Sequence, residues 1–489
     1  MTCIVPKKQN NMYGEQEGEV FMKFKKYGII LAALLIAAMC CGMACAATKT
    51  VYVDANYSGG ESNGTKANPY KTIKDGYEQI ASDDTLHIAP ATYTESNGDW
   101  PHGVITLYKD MTLELGSGDI IANMQVYLKP SETGTFVLKG HGMNNSTLTL
   151  NTAGSAVIIG DRAASDDVLN KTGKVVIENL HLSKKDVTGS LLRKSNSAKV
   201  SELNLKNIHF EGAGGLEVGG IYFRSTCLDS YVDKMTVEGC SFKNITDSTF
   251  YLQGVNNLTM RNCSFNNSSR TAVDLALRAF DGNKTTEKRS FGNIVIEGCT
   301  FDRCGTSEFP AFAVRPKSDV ISVDIKLNNN KFTNNSADVM LGELEAGESA
   351  TPDVIYEFSA AGNEFTSQVT VNKVNTLSKI DFNGNSWNKK ASPIVLTPIS
   401  ADMKLSKDVV VTEKLTAASA VSGDSIVWST SRADIAKVDA NGMVTAQKSG
   451  IAVITAKGSY SNTSATCTIT VKDSVSPDPV PTPEPVKPE

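Results

Sequence analysis

At 489 residues the chain is longer than one ordinary domain needs, so two folded units with flexible ends are expected. Gly, Asn, Ser and Thr are plentiful while aromatic residues make up only 7%, a mix that favours short strands and turns over long helices. A formal net charge of -5 excludes wholesale nucleic-acid binding, which needs a basic surface, so any anionic partner must meet a local basic patch.

Residues 22–47 read MKFKKYGIILAALLIAAMCCGMACAA. Lys23, Lys25 and Lys26 form a basic start, Ile29 to Met39 an apolar core, and Ala44-Cys45-Ala46 a small-residue cleavage site, the pattern of a secretory signal peptide. Met22 is then the expected start and residues 1–21 a gene-start extension. The apolar run is long for such a segment, which leaves an uncleaved membrane anchor as the alternative. Gly42-Met43-Ala44 makes a poor lipoprotein box ahead of Cys45. Cleavage removes five lysines and three glutamates, leaving -7 and six cysteines: Cys227, Cys240, Cys263, Cys299, Cys304 and Cys467. They contain no CxxC pair, and no His-rich run accompanies them, so no metal site is expected.

Residues 71–82, KTIKDGYEQIAS, place Ile73, Tyr77 and Ile80 on one helical face. From 174 to 388 one template then recurs: two apolar residues at alternate places, Asn or Gly at the fifth place, and an apolar residue at the eighth. It reads VVIENLHL at 175–182, LNLKNIHF at 203–210, MTVEGCSF at 235–242, LTMRNCSF at 258–265 and IVIEGCTF at 294–301. Further copies are IKLNNNKF at 325–332, FSAAGNEF at 358–365 and IDFNGNSW at 380–387, with weaker ones at 136–143 and 86–93. Alternation turns the first and third places inward, and Asn or Gly at the fifth suits a left-handed backbone at a tight turn. The sixth and eighth places point inward again. The 23 residues from Phe242 to Phe265 and the 22 from Phe365 to Trp387 match one coil of a parallel β-helix. Longer spacings imply loops inserted at a corner. The helical segment at 71–82 suits a cap, since an open strand edge invites aggregation.

The template explains three cysteines: Cys240, Cys263 and Cys299 share an inward place and read as small buried hydrophobes rather than a reactive or metal-binding cluster. Phe210, Phe242, Phe265, Phe301, Phe332, Phe365 and Trp387 read as an aromatic column in the core rather than a sugar-stacking platform. His181 and His209 share an outward place and are expected to be solvated; His87, His102 and His141 share no motif. Asp83-Asp84 and Asp166-Asp167 precede strands and are expected to shape turns.

A further strand should lie between template copies. Aligning LLR at 191–193, IYFR at 221–224, FYLQ at 250–253, LALR at 275–278 and FAVR at 312–315 puts Arg193, Arg224, Gln253, Arg278 and Arg315 in one outer column. Coils are about 4.7–4.9 Å apart, so like charges there would repel. One relief is an acidic polysaccharide gripped by the arginines, with Tyr222, Tyr251 and Lys317 on the same face. The other is pairing with a nearby carboxylate such as Asp274 or Asp281, with no further role.

The stretches VYVDANYSGGESNGTKANPYKTIKDG and DDTLHIAPATY resemble the N-terminal segment of secreted pectin-lyase-like β-helix proteins, with Ala91 where that family has Gly. The likeness spans roughly residues 50–390 and implies a right-handed, single-stranded parallel β-helix. Lyases of that family abstract a proton beside a uronate carboxylate with Lys or Arg as base while a cation neutralises the acid. Arg278, Arg315 and Lys317 could take such parts, yet no acidic cluster with calcium-ligand spacing accompanies them. Hydrolases on this fold use paired carboxylates, and the Asp-Asp pairs here belong to turns.

Residues 399–472 resemble the bacterial Ig-like group 2 family, through VDANGMVTA at 438–446 followed by Gly450 to Ala456. Asn441-Gly442 reads as a hairpin turn. Such modules are spacers or adhesive stalks, and no catalytic residue comes with the likeness. Residues 474–489, SVSPDPVPTPEPVKPE, form a Pro-rich extended tail.

The chain is therefore expected to be all-β, with a capped β-helix over 48–395, an Ig-like β-sandwich over 396–473 and a tail. The leading function is a secreted or cell-surface protein that binds polysaccharide or mediates adhesion, without catalysis, nucleic acid or a membrane span after signal cleavage, and with calcium as the one cofactor left open, for which no site is identified. The alternatives are a polysaccharide lyase or glycoside hydrolase on an acidic polysaccharide, and a structural stalk.

Overall fold

A computed structural model describes residues 47–94, 103–162, 168–184, 187–212, 218–225, 229–278, 288–306, 308–317, 319–342, 354–371, 375, 377–387, 394–419, 421–460 and 464–473. The gene-start extension, all but the end of the expected signal segment, Cys227, Asp166-Asp167, Asp281 and the Pro-rich tail lie outside these residues. From Thr50 onward the described residues form one compact unit.

Alternating apolar residues build short strands that stack only in parallel through the repeat, in three walls. The first wall runs Thr50–Val53, Thr85–Ile88, Thr112–Leu115 and Thr135–Lys139. The second begins Thr92–Tyr93, Gly118–Ala122 and Ser146–Leu150. Two 14-residue strands, Asn170–Ser183 and Ala198–Glu211, run through both walls. Beyond them the walls separate again, as in Met235–Glu238 and Ser241–Lys243. The third wall stacks Val104–Leu107, Gln125–Leu128, Val157–Ile159, Gly189–Lys194 and Val218–Phe223, continuing to Gln368–Val371. One continuous apolar core fills the space between them.

The template's fifth place adopts the left-handed conformation at Asn179, Asn207, Gly239, Asn262, Gly298, Asn329, Gly362 and Gly384, with φ from +50 to +78°. Asn and Gly stand there because other side chains clash in that region. A second left-handed corner, absent from the template, falls at Asn244, Asn267, Arg303 and Asn334. The aromatic column is internal: Phe210, Phe242, Phe265, Phe301, Phe332, Phe365 and Trp387 follow one another at ring separations of 4.6 to 5.2 Å.

At the sixth place the stack changes chemistry along the coil axis. Cys240, Cys263 and Cys299 are buried free thiols, and the neighbouring sulfur, with burial behind it, pushes the pKa of the last two up. Asn330, Asn363 and Asn385 continue the column as an amide ladder. Each Oδ1 accepts the backbone N–H of the preceding coil at 2.8 Å, from Cys299 to Asn385. Cys304 and Cys467 are also free and buried.

The expected cap forms as a six-residue helix, Ile73–Glu78, started by Thr72 Oγ1 accepting the Asp75 N–H at 3.0 Å. Ile73 and Ile80 are buried and Tyr77 packs against the core. Asp83 holds a positive φ, and Asp84 Oδ2 accepts the Ala81 N–H, so this pair shapes a turn.

The C-terminal region has its own core. Ser400–Lys404, Ser464–Lys472, Gly450–Gly458 and Ile426–Thr430 form one sheet, and Thr412–Lys414, Met443–Ala446 and Ala436–Val438 another. The hairpin at Asn441-Gly442 is present, closed by Asp439 Oδ1 accepting the Asn441 and Met443 N–H groups. One strand leaves this module: Val421–Ser422 joins the end of the third wall, parallel to Gln368–Val371. No helix among the described residues is long and apolar enough to cross a membrane.

Candidate functional site

Along the third wall every second side chain faces outward. Pairing places Tyr127, Ile158, Arg193, Tyr222, Tyr251, Asp274, Ala313 and Met340 in one outward column. The single arginine column expected from the sequence does not form. Arg193 aligns with Tyr222, two residues short of Arg224. Leu275 pairs with Val314, so Arg315 sits beside Ala276 and Arg278 lies two residues further along. Arg224 does lie beside Gln253, because Phe223 pairs with Leu252. The expected repulsion between stacked arginines therefore has no counterpart.

Gln253 follows that alternation outward but is covered rather than open to solvent, at 3% exposed. Its Oε1 accepts the Ser225 N–H at 3.0 Å and its Nε2 donates to the Tyr251 hydroxyl at 3.0 Å. It positions Tyr251, whose ring stacks on Tyr222 at 5.0 Å and 12°. Arg193 lies over the other side of Tyr222 at 5.9 Å and donates to Asn196 Oδ1 at 2.7 Å. The two tyrosines spend ring faces on each other, so what they offer a ligand is edges and hydroxyls.

Arg315 grips Asp274 with both Nε and a terminal nitrogen, the Nε bond being 3.0 Å. Asp274 is 2% exposed, and burial raises its pKa against the pull of Arg315, Lys317 and Arg270. Pairing with a carboxylate is thus the arrangement found for Arg315. Arg224 is exposed, and Arg278 and Lys317 are half-buried.

At the N-terminal end of the same wall lies a polar recess of about 250 Å³. Gln125, Tyr127, Asp161, Arg162, Arg193 and Asn196 line it. Both arginines act on the Tyr127 hydroxyl, whose pKa burial raises and their charges lower. Among the candidates named from sequence only Arg193 belongs to this recess. Gln125 and Tyr127 on the strand Gln125–Leu128, and Arg162 just after Val157–Ile159, were missed because these segments precede the clear template copies.

The second wall carries another constellation that the sequence reading missed. His181 and His209 pair on adjacent coils with rings 4.6 Å apart, and Glu211 stands two residues beyond His209. They are not solvated as expected: side-chain exposures are 20% and 23%. Lateral packing of one coil on the next covers the rings, which an outward position alone does not reveal. The readable signal was the same residue at the same template place in two successive copies.

Two family models match the chain. The right handed beta helix region matches residues 168–385, and the bacterial Ig-like domain (group 2) matches residues 391–469. No curated protein matches it.

Proposed function

For a chain that joins a right-handed β-helix to a bacterial group 2 Ig-like domain, we propose a secreted or cell-surface role in binding an acidic polysaccharide without cutting it. The observation that carries this reading is the polar recess that brings Arg162 and Arg193 together with Gln125 and Asn196 on a rigid wall. Two guanidinium groups suit carboxylates, which Arg binds in a bidentate fashion, and the amides and tyrosine hydroxyls suit sugar hydroxyls. The rigid wall limits the entropy lost on binding. Tyr222 and Tyr251 extend the polar strip along the coil axis.

A lyase reading has one observation in its favour: buried Asp274 with its raised pKa, beside Arg315 and Lys317. The bidentate grip of Arg315 on Asp274 fits a structural pair equally well, and for that reason binding is preferred.

The test is titration of the full chain with a panel of acidic polysaccharides, following binding heat and the ultraviolet absorbance of unsaturated uronate in parallel. Saturable binding that Arg162→Ala and Arg193→Ala each weaken about tenfold, with no absorbance gain, is the expected result. Growth of absorbance would replace the binder by a lyase. Equal binding by both variants would remove the recess from the account.

A further inference from the structure

We propose that His181, His209 and Glu211 form a binding site for one divalent transition-metal ion of the zinc class. The three side chains offer ligand atoms that all lie within 4.8 Å of one another. His181 Nε2 stands 3.6 Å and His209 Nε2 3.9 Å from the same oxygen, Glu211 Oε2. These separations are too long for hydrogen bonds. They are close to the spacing of about 3.4 Å between two ligands that each sit about 2.1 Å from a tetrahedral zinc ion.

The rest of the surroundings fits an ion better than a salt bridge. His209 Nδ1 is 2.6 Å from Ser241 Oγ, on the next coil. When Nδ1 carries the proton and donates it to Ser241, the Nε2 lone pair is left pointing toward Glu211. A hydrogen bond on the distal nitrogen is the usual way a ligating histidine is oriented. His181 Nε2 is buried without a hydrogen-bond partner. A buried nitrogen in that state costs free energy, which coordination would recover. Burial also lowers the pKa of both imidazoles, the direction that favours the neutral ring a metal needs.

The framework is preformed. His181 and His209 are held in register by the pairing of the two 14-residue strands, and Glu211 belongs to the second of them. Other groups facing the site are Asp119, whose charge acts on His181, and Lys243, whose Nζ is 3.9 Å from Glu211 Oε1. Lys243 competes with a metal for Glu211. Two imidazoles and one carboxylate select zinc, copper or nickel over calcium or magnesium, which prefer all-oxygen shells. Three protein ligands leave one position of a tetrahedral ion open to an oxygen of solvent or of a bound partner.

The experiment is calorimetric titration of the metal-stripped full chain with Zn(II), repeated with Co(II) to read the intense visible bands of a tetrahedral site. One equivalent should bind, with those bands appearing on Co(II). Glu211→Gln, which keeps shape and fold, should weaken Zn(II) binding at least tenfold, and the double variant His181→Ala/His209→Ala should abolish it. Ser241→Ala should weaken it by about 10–100-fold as a positioning change. Lys243→Met should bind no more weakly than the parent chain. Absence of stoichiometric binding, or binding unchanged in Glu211→Gln, overturns the proposal. Should the double histidine variant fail to fold, Glu211→Gln alone decides.

Discussion

Val421 of the Ig-like module pairs in register with Val369 of the last third-wall strand of the β-helix, and it is buried in the β-helix core. The adjoining contacts reinforce this junction: Phe382 donates its N–H to Tyr460 O at 3.0 Å, and Tyr460 packs on the same core. The module therefore covers one exposed strand edge, as a β-helix requires at its ends. Gly423 sits at the exit of that strand with φ +87°, and a Cβ there would lie 1.9 Å from Val371 O. Gly423→Ala is expected to cost at least about 1–3 kcal/mol. Hydrogen exchange should quicken at residues 369–371 while the Ig-like core keeps its protection. Unchanged exchange at those residues would show that the junction is not coupled to the last coil.

A chain cut after residue 390 loses Val421 and uncovers Phe382 and the free edge of Gln368–Val371. Light scattering should show association of that fragment at concentrations where the full chain stays monodisperse. A monodisperse fragment would mean that the coil ends cover themselves.

The Arg315–Asp274 pair is a stability element. Arg315→Ala leaves a buried carboxylate without its partner and should cost about 3–5 kcal/mol, whereas Arg315→Ala/Asp274→Ala should recover much of that loss. Urea unfolding of the three variants gives the coupling directly. Additive losses would show that the two residues act independently.

Asn363 accepts from Asn330 N and Nδ2 through one oxygen and donates to Leu327 O at 2.7 Å. Asn363→Ala should cost about 1–3 kcal/mol for each backbone group left buried and unpaired. Thermal unfolding measures this. A loss no larger than that of a surface Asn would show that relaxation or water replaces the ladder.

Lys184 is buried, with its ammonium on Gly154 O and Thr188 O, and burial lowers its pKa from 10.5 to about 8. The unfolded chain binds this proton more tightly than the folded one, so stability should rise with pH between about 8 and 10.5. Lys184→Met should remove that rise from the urea midpoint, compared across the same pH series. A rise equal in both proteins would assign it to other groups.

Much of the fold was legible because its chemistry repeats. The fifth-place Asn and Gly announced their left-handed turns, and the alternation announced which residues point inward. The aromatic column followed from one apolar place recurring copy after copy. The amide ladder was less visible, since Asn330, Asn363 and Asn385 occupy the place that cysteines hold earlier, and a polar residue there reads as a break rather than a continuation. Only the stacked coils show that each amide meets a backbone N–H that it can satisfy.

The outward face is where sequence alone stopped. A strand's side chains repeat every two residues, so sliding the LALR segment by two keeps every apolar residue inward and leaves the pattern intact. Periodicity therefore determined which face Asp274, Ala276 and Arg278 share, but not which coil neighbour each one meets. Hydrogen-bond pairing decided that, setting Tyr251 against Asp274 and Arg315 beside Ala276. The same holds for His181 and His209, which the sequence put at one outward place: the stacking of two coils brought them together and added Glu211, with all three ligand atoms within 4.8 Å.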